Sequence, residues 1–337
     1  MELALFRFAY HETVGKKRKE WVDALRALAI FFVIYGHLVK GWTAYYVFTS
    51  PIKICLFFAI SGYVFKYDRV KEGEFYYSLF RKLIIPWLAF SLLPYAIAIP
   101  IKGLSFFYAR FVTVITGKST LWYMPCCIIA EIIWHYLNRF IKKEGVLIIA
   151  SLVFFALGLF LGKCGLLDLL MINRAMAVQA FLVIGGVYKK HEEYLLEKFG
   201  KPRYVCLGFF VYVILGIITM VFYPGQNLDV HTNKYYNFTI CGLMILIGIV
   251  VIFIVFERYI KKYPSIITLV GQNTLVIYIC NNLVISVIRF VSKRTGLPYD
   301  GIFPGLITAV IACVACTVLS LLTKKLIPEI FGIKRGL

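Results

Sequence analysis

Residues 21–37 read Trp21-Val-Asp23-Ala-Leu-Arg26-Ala-Leu-Ala-Ile-Phe-Phe-Val-Ile-Tyr35-Gly36-His37, an apolar run that carries three ionisable side chains. The run continues to about residue 40, and a helix of that length crosses a hydrocarbon core of ~30 Å at ~1.5 Å per residue. Arg26 and His37 are eleven positions apart, which returns them to within about 20° of one helix face, roughly 16 Å apart along the axis. Asp23 shares that face. We therefore predict a transmembrane helix with a carboxylate, a guanidinium and an imidazole in one line.

Similar apolar runs recur along the whole chain of 337 residues. Hydrophobic residues make up 61% of the sequence and charged residues 16%, whereas about a quarter of a soluble domain is charged. This composition excludes a soluble globule and predicts an all-α integral membrane protein with about ten transmembrane helices. The proposed spans are residues 22–40, 48–65, 81–101, 121–140, 146–162, 165–187, 204–222, 236–256, 266–289 and 302–323.

The formal net charge of +20 would also suit a nucleic-acid-binding protein, but the 37 Lys and Arg residues lie in short clusters between the apolar runs. No basic, aromatic-interleaved soluble module is present, so no nucleic acid is expected as a partner. Cytoplasmic loops carry the Lys and Arg excess, which predicts that both termini are cytoplasmic. We divide the chain into a cytoplasmic N-terminal segment, residues 1–20, without a cleaved signal peptide, and a transmembrane domain, residues 21–337.

Two features are expected to stay outside any catalytic chemistry. The aromatic segment from Ser105 to Thr116 is too short to cross the bilayer and is predicted to be interfacial or re-entrant. Nine cysteines fall within or beside the spans and are interpreted as small apolar residues. Cys313 and Cys316 form a single CxxC inside an apolar helix, without a second pair or a His cluster, so no metal site is assigned.

The ionisable residues of the first helix are the leading candidates for function, because a charged group within a span costs about 2.5–3.5 kcal/mol on insertion. His37 has a pKa suited to accepting a proton near neutral pH. The alternative is structural: Asp23 and Arg26 form an anchoring ion pair, and His37 is a packing residue.

Two further motifs also have both a functional and a structural interpretation. The Ser61-Gly62 pair permits close approach by either a ligand or a neighbouring helix. Arg81 and Lys82, predicted to open the third helix, could hold the phosphates of a nucleotide-bearing donor or simply follow the positive-inside rule. Other polar residues within spans favour a hydrated or substrate-filled cavity: Glu131, His135, Asp168, Arg174, Gln179, Gln272, Asn273, Asn281 and Asn282.

The pattern Asp23-x-x-Arg26, ten further residues and His37, followed by Leu56-Phe-Phe-Ala-Ile-Ser61-Gly62-Tyr63, resembles the acyltransferase-3 family of membrane O-acyltransferases. The resemblance covers most of the chain. Its further marks are Arg81-Lys82 with Pro86, Leu121-Trp122-Tyr123 and Gly271-Gln-Asn-Thr-Leu-Val-Ile-Tyr278.

The resemblance implies a stand-alone enzyme of the bacterial cytoplasmic membrane that is surrounded by membrane lipid. It would transfer an acetyl group from acetyl-CoA, a co-substrate rather than a bound cofactor, to a cell-envelope glycan or another hydroxyl-bearing acceptor. In this interpretation His37 is the general base, Arg26 holds the donor and Asp23 orients Arg26. The remaining assignments place Arg81, Lys82 and Ser61 at the donor, and Trp122, Tyr123, Arg174, Tyr278 and Asn281 at the acceptor.

The chain departs from the family pattern at two places. Relatives often carry two Arg residues three apart near the start of helix three, where this chain has only the adjacent Arg81 and Lys82. Many relatives also have a His shortly after the tyrosine of helix nine, where this chain has Asn281, which cannot accept a proton.

Several alternatives stay open at the level of sequence. No Gly-x-Ser-x-Gly motif is present and no Cys stands beside a His, so direct transfer is simpler than an acyl-Ser or acyl-Cys intermediate. An acyl-imidazole on His37 is the other mechanism. A transporter or flippase for a glycan-lipid or anionic substrate is the main rival function, and a membrane sensor or scaffold is the second. The sequence does not predict an oligomeric state.

Overall fold

The computed structural model describes residues 19–39, 41–65, 72–226, 228–235, 237–327 and 330. Of the predicted cytoplasmic segment, residues 1–20, only Lys19 and Glu20 lie within this part. The described chain is helical throughout, apart from its loops and one isolated β-bridge between Asp229 and Lys234. The helices are α1 (Glu20–Leu38), α2 (Thr43–Val64), α3 (Glu72–Leu79), α4 (Ile85–Ile97), α5 (Ile99–Ile115), α6 (Tyr123–Phe140), α7 (Glu144–Lys163), α8 (Ile172–Ala177), α9 (Gln179–Lys190), α10 (Glu192–Phe199), α11 (Pro202–Phe222), α12 (Phe238–Ile254), α13 (Ser265–Gln272), α14 (Thr274–Thr295) and α15 (Phe303–Leu326).

In the described part of the chain, eight helical segments are long and apolar enough to cross a membrane. A ninth crossing results if α8 and α9, which are bent by 48°, form one broken span. A helix lies at each of the ten positions proposed from the sequence, but α6 is not among the eight. This helix carries Glu131, His135 and Arg139, which lower its hydropathy.

The third predicted span begins earlier than expected. Glu72 starts a candidate span that runs to Ile97, so Arg81 does not open the helix. The added turns are stabilised because Phe75 and Leu79 are buried on one face. Residues Phe80–Ile84, which include Arg81, form a π-helical stretch between α3 and α4, an arrangement that occurs often at functional sites.

The ninth predicted span is broken in the structure. α13 ends at Gln272, Asn273 lies outside helical geometry, and α14 continues to Thr295. The cations at 293 and 294, beyond the end of the predicted span, are therefore helical as well. Gly296 ends α14 in the left-handed region, with φ 72°, which glycine adopts at little cost.

The segment predicted to be interfacial, Ser105 to Thr116, forms most of α5. Gly103, with φ 81° and ψ 166°, interrupts this helix and separates its first turn from the rest. Most of the segment is exposed, and Val114 is its buried residue. Because of this interruption, the continuous helical part of α5 is shorter than the range Ile99–Ile115.

Helices α1 and α2 form the centre of the bundle. In the most apolar stretch of each helix, 61% of the residues of α1 and 67% of those of α2 are buried. The corresponding fraction is at most 44% in the other candidate spans. α2 packs tightly on α9: a Cβ atom added to Gly62 would lie 1.9 Å from the carbonyl oxygen of Leu182, and one added to Gly185 would lie 1.7 Å from that of Ala59. Small residues therefore bring the two backbones together, and at Gly62 the approaching group is a neighbouring helix, one of the two interpretations of the sequence.

A polar network ties together the starts and ends of several helices. The Lys19 ammonium forms ion pairs with Glu192 and with Glu257, the latter at 3.3 Å. It also donates to the Tyr63 hydroxyl at 2.6 Å, and this hydroxyl donates to Glu192 at 2.7 Å. Tyr188 completes the network by donating to Glu257 at 3.1 Å. The start of α1 is thus joined to the ends of α2 and α9, to the start of α10 and to the helical stretch Val255–Tyr259 that follows α12.

Some of the polar residues within spans serve the helix breaks. Asn273, at the α13–α14 break, accepts hydrogen bonds from Ser320 at 2.8 Å and from Lys324. Gln179, at the α8–α9 bend, donates to the carbonyl oxygens of Ala130 and Ala175. Interrupted helices within a membrane need such compensation for unpaired backbone groups. These two amides therefore have hydrogen-bond partners at the helix breaks.

Candidate functional site

The polar face predicted on α1 is present, and its first two members form an ion pair. Asp23 is buried, and its Oδ1 lies 3.2 Å from Nη1 of Arg26. The amide of Gln272 lies 3.5 Å from Oδ2 of the same carboxylate. A Cβ on Gly271 would lie 1.9 Å from the carbonyl oxygen of Asp23. The break before α14 therefore packs directly on the residue that orients Arg26.

His37 is the penultimate residue of α1, and its side chain is exposed. In the described part of the chain, the cation that acts electrostatically on His37 is Lys53 of α2, and no hydrogen bond to the imidazole is found there. Tyr35, two residues earlier, donates to the carbonyl oxygen of Ile302 at 2.9 Å. The end of α1 is thus held against the start of α15 while the imidazole stays accessible.

On each of the two central helices, some of the partly accessible residues form a stripe along one helix face. On α1 it comprises Arg26 and Val33, which are half-buried, together with the exposed His37. On α2 it comprises Lys53 and Ser61, four residues to either side of Phe57, all half-buried. Residues at spacings of four, seven and eleven share one helix face. These stripes therefore place one or two partly accessible ionisable groups on each of the two central helices.

The predicted aromatic residues do come together. The ring centroids of Tyr123 and Tyr278 are 5.4 Å apart, and the Tyr123 backbone N–H donates to the Tyr278 hydroxyl at 3.3 Å. Trp122 lies edge-on to Tyr123 at 6.2 Å. Phe57, from the accessible stripe of α2, is 6.0 Å from Tyr123. The aromatic cluster therefore adjoins the stripe that contains Lys53 and Ser61.

Arg174 is fixed by three oxygen acceptors. Its guanidinium pairs with Asp168, donates to the side-chain oxygen of Asn173 at 2.8 Å, and donates to the backbone oxygen of His231 at 2.9 Å. Lys118 also pairs with Asp168, at 3.3 Å. Arg174, which the sequence analysis placed at the acceptor, thus holds the loop between α11 and α12 against the bundle.

That loop brings His231, which sequence reasoning did not single out, to the aromatic cluster. The imidazole lies 4.6 Å from the Trp122 ring, and Leu228 and Val230 of the same loop are buried in the core. Although His231 keeps an exposed surface, partial burial lowers its pKa; Asp229 opposes this effect and the Arg174 cation adds to it. His231 is therefore biased toward the neutral form.

Asn281 lies one turn beyond Tyr278 and is buried. Its Nδ2 donates to the carbonyl oxygen of Tyr278 at 2.6 Å, whereas its Oδ1 has no hydrogen-bond donor among the described residues. A buried oxygen without a donor is costly, so it is a notable feature of the site.

The predicted donor cations are half-buried within the helix rather than at its start. Arg81 and Lys82 lie on the π-helical stretch between α3 and α4. Lys82 acts electrostatically on the Glu131 carboxyl of α6. Lys82 therefore lies opposite α6. The Asp23–Arg26 ion pair lies on a different helix, α1.

A separate apolar cavity of about 310 Å³ opens beside the end of α1. It contains none of the predicted site residues. Its lining consists of Phe31, Phe32, Tyr35, Trp42, Ala44, Tyr45, Phe48, Thr49 and Leu306.

The most informative residue that sequence reasoning missed is Lys53. It is a lysine in the middle of a 22-residue helix that qualifies as a membrane span, and a search for cations within spans would have found it. His231 carried no comparable signal, because its proximity to Trp122 depends on how a polar loop folds back onto the helices.

These features define a multi-pass helical membrane protein whose two central helices carry accessible ionisable groups. The family model described as an acyltransferase domain matches residues 19–325, nearly the whole chain. The chain therefore belongs to the acyltransferase-3 family, and it is a membrane acyltransferase. Neither a curated protein nor a solved structure matches it.

Proposed function

We propose that the protein transfers an acetyl group from cytoplasmic acetyl-CoA to a hydroxyl group of an extracytoplasmic cell-envelope glycan or a similar acceptor. Ten membrane crossings, with both termini in the cytoplasm, would put the Lys19 network at the inner side and His37 near the outer side. The bacterial cytoplasmic membrane is the proposed location. One observation carries the proposal: α1 has, on the same face, an Arg26 that is paired with Asp23 and an accessible His37.

His37 is the proposed general base. The imidazole takes the proton of the acceptor hydroxyl as that oxygen attacks the thioester carbonyl, and it later returns the proton to the departing thiolate. Its exposure, and the lack of a hydrogen bond to it within the described chain, leave its ring nitrogens available for this role. Direct transfer needs no covalent intermediate, whereas an acetyl-imidazole on His37 would be detected by mass spectrometry after incubation with acetyl-CoA alone.

The donor would approach along the α1 stripe. A guanidinium held by a carboxylate is well suited to bind phosphate or a carbonyl oxygen, and the Asp23–Arg26 pair supplies one. Arg81, Lys82 and Ser61 are the further donor contacts that we propose. The adenosine phosphates would lie on the inner side, with the pantetheine arm extended toward His37.

The acceptor would bind at the aromatic cluster. Tyr123, Tyr278 and Trp122 offer ring faces that suit a sugar, and Asn281 offers an oxygen that can accept a hydroxyl hydrogen bond. Arg174 lies next to this cluster, to which it is joined through His231.

Release of free coenzyme A from acetyl-CoA by the purified protein tests the proposal. We expect activity in the wild type and a loss of about 10²–10⁴-fold in His37→Ala, the usual contribution of a general base. Arg26→Ala should raise the KM for acetyl-CoA more than that for the acceptor, and Arg81→Ala should raise the donor KM as well. Lys163→Met, at an exposed lysine at the end of α7, is the control.

A transporter would release no coenzyme A, so an inactive wild-type protein would refute the proposal. Full activity in a correctly folded His37→Ala variant would refute the role of the imidazole.

A further inference from the structure

Lys53 is a cation in the middle of an apolar helix at the centre of the bundle. Its side chain is half-buried, and α2 is the most buried of the candidate spans. A charge in this position is costly and usually marks a functional group or a partner for one.

The ammonium group of Lys53 lies beside the end of α1. A Cβ placed on Gly36 would be 3.8 Å from Nζ of Lys53, so Nζ approaches the backbone one residue before His37. Nζ is also 5.5 Å from the centre of the Tyr46 ring. The Tyr46 hydroxyl donates to the carbonyl oxygen of Val39 at 2.6 Å, which fixes the ring against the same end of α1.

The residues that the structure describes offer Lys53 no acceptor for its hydrogen bonds. Among the residues that the structure describes, it forms neither a hydrogen bond nor an ion pair. Asp229 acts on Lys53 electrostatically, but no ion pair joins them. Within this described part, the three N–H donors of the ammonium are therefore available to an acceptor atom on a substrate, and the imidazole of His37 likewise has no hydrogen-bond partner there.

Other cations are less suitable for this position. Arg26 is committed to Asp23 at 3.2 Å and lies roughly 16 Å along α1 from His37. Arg174 is bound by three oxygen atoms. Among the described residues, Lys53 is the cation that acts electrostatically on His37.

We infer, on the basis of the proposed function, that Lys53 is a second catalytic residue, whose ammonium binds the thioester carbonyl oxygen as that oxygen becomes negatively charged. As the acceptor oxygen attacks, its proton passes to His37 and the carbonyl π electrons move to the oxygen held by Lys53. When the intermediate collapses, these electrons re-form the C=O bond and the C–S bond breaks. The thiolate then takes the proton from His37, which yields the ester and free coenzyme A.

Two coenzyme A thioethers test this role without turnover. In S-carboxymethyl coenzyme A a carboxylate lies close to the position of the reacting carbonyl, and S-carboxamidomethyl coenzyme A is its neutral counterpart of the same shape. Binding of both to the full-length protein in lipid nanodiscs is measured by calorimetry. We expect the wild type to prefer the carboxylate by about 10- to 100-fold, as for a hydrogen bond to a charged group.

The variants make the test specific. Lys53→Met should bind the two thioethers equally, whereas Lys53→Arg should keep most of the preference. Lys163→Met should keep it fully. With acetyl-CoA, Lys53→Met should lower kcat by about 10²–10³-fold, as for the loss of one oxyanion donor, with little change in the KM for the donor.

Three results would overturn the inference: a preference for the carboxylate that survives in Lys53→Met, equal binding of both thioethers by the wild type, or a Lys53→Met variant in which only the acceptor KM changes. The last would show that Lys53 binds the acceptor. If the wild type binds neither thioether, the proposed function itself fails, and this inference fails with it.

Discussion

Replacement of Gly185 by alanine should destabilise the protein, because the contact between α2 and α9 leaves no space for a methyl group. The added Cβ would lie 1.7 Å from the carbonyl oxygen of Ala59, and real contacts do not fall below 3.0 Å. The backbones would have to separate by roughly 1.3 Å, the difference between these distances, and such overpacking costs about 1–3 kcal/mol. The obstacle is backbone, so no side chain can rotate away to relieve it.

Gly242→Ala is the matched control for this experiment. Gly242 also lies within an apolar helix, α12, but a Cβ there would have nothing within 4 Å. Both substitutions bring the same gain of about 0.5–1 kcal/mol from replacing a helical glycine. The difference between the two variants therefore isolates the overpacking cost, about 1–3 kcal/mol.

The assay is an SDS titration of each purified variant in mixed micelles, followed by tryptophan fluorescence, which gives the free energy of unfolding. We expect Gly185→Ala to unfold at lower SDS than the wild type, and Gly242→Ala at the same or higher SDS. Equal stability of the two variants would refute the close packing of α2 on α9.

Two further predictions concern the site. Gly271→Ala would place a Cβ 1.9 Å from the carbonyl oxygen of Asp23; the resulting displacement of about 1 Å should lower kcat/KM for acetyl-CoA by about 10²-fold, while Gly242→Ala stays fully active. His231 should make the protein less stable as the pH falls. Its pKa in the folded protein is below the ordinary value of 6.5. Between these two pKa values the unfolded chain binds more protons than the folded protein, so stability rises with pH. His231→Gln should remove this part of the pH dependence of the Tm, and an unchanged profile would contradict the assignment.

The local features of α1 could be predicted well from the sequence. A spacing of eleven residues sets the helix face of Arg26 and His37, and the spacing of three brings Asp23 to Arg26, where an ion pair forms at 3.2 Å. The start of the third span could not be predicted as well. Its first turns contain Glu72 and Glu74, and they are helical because Phe75 and Leu79 pack against other helices.

Contacts between distant parts of the chain were only partly predictable. The aromatic residues at 122, 123 and 278 were expected to lie together, and their rings do so. The approach of Lys53 to the end of α1 and the contact of His231 with Trp122 were not expected. Both depend on how separate helices and loops pack against each other, which no pattern within one helix shows.

By itself, the sequence determined that this is a helical membrane protein, that α1 carries an ionisable face, and that the chain resembles the acyltransferase-3 family. These properties follow from local periodicity and from the cost of placing polar groups in hydrocarbon, both of which are readable along a single helix. The tertiary structure alone decided which residues meet across helices. Glycines at 36, 62, 185 and 271 allow backbones or long side chains to approach closely, and these contacts set the rotation and depth of each helix relative to its neighbours, which no pattern within one helix specifies.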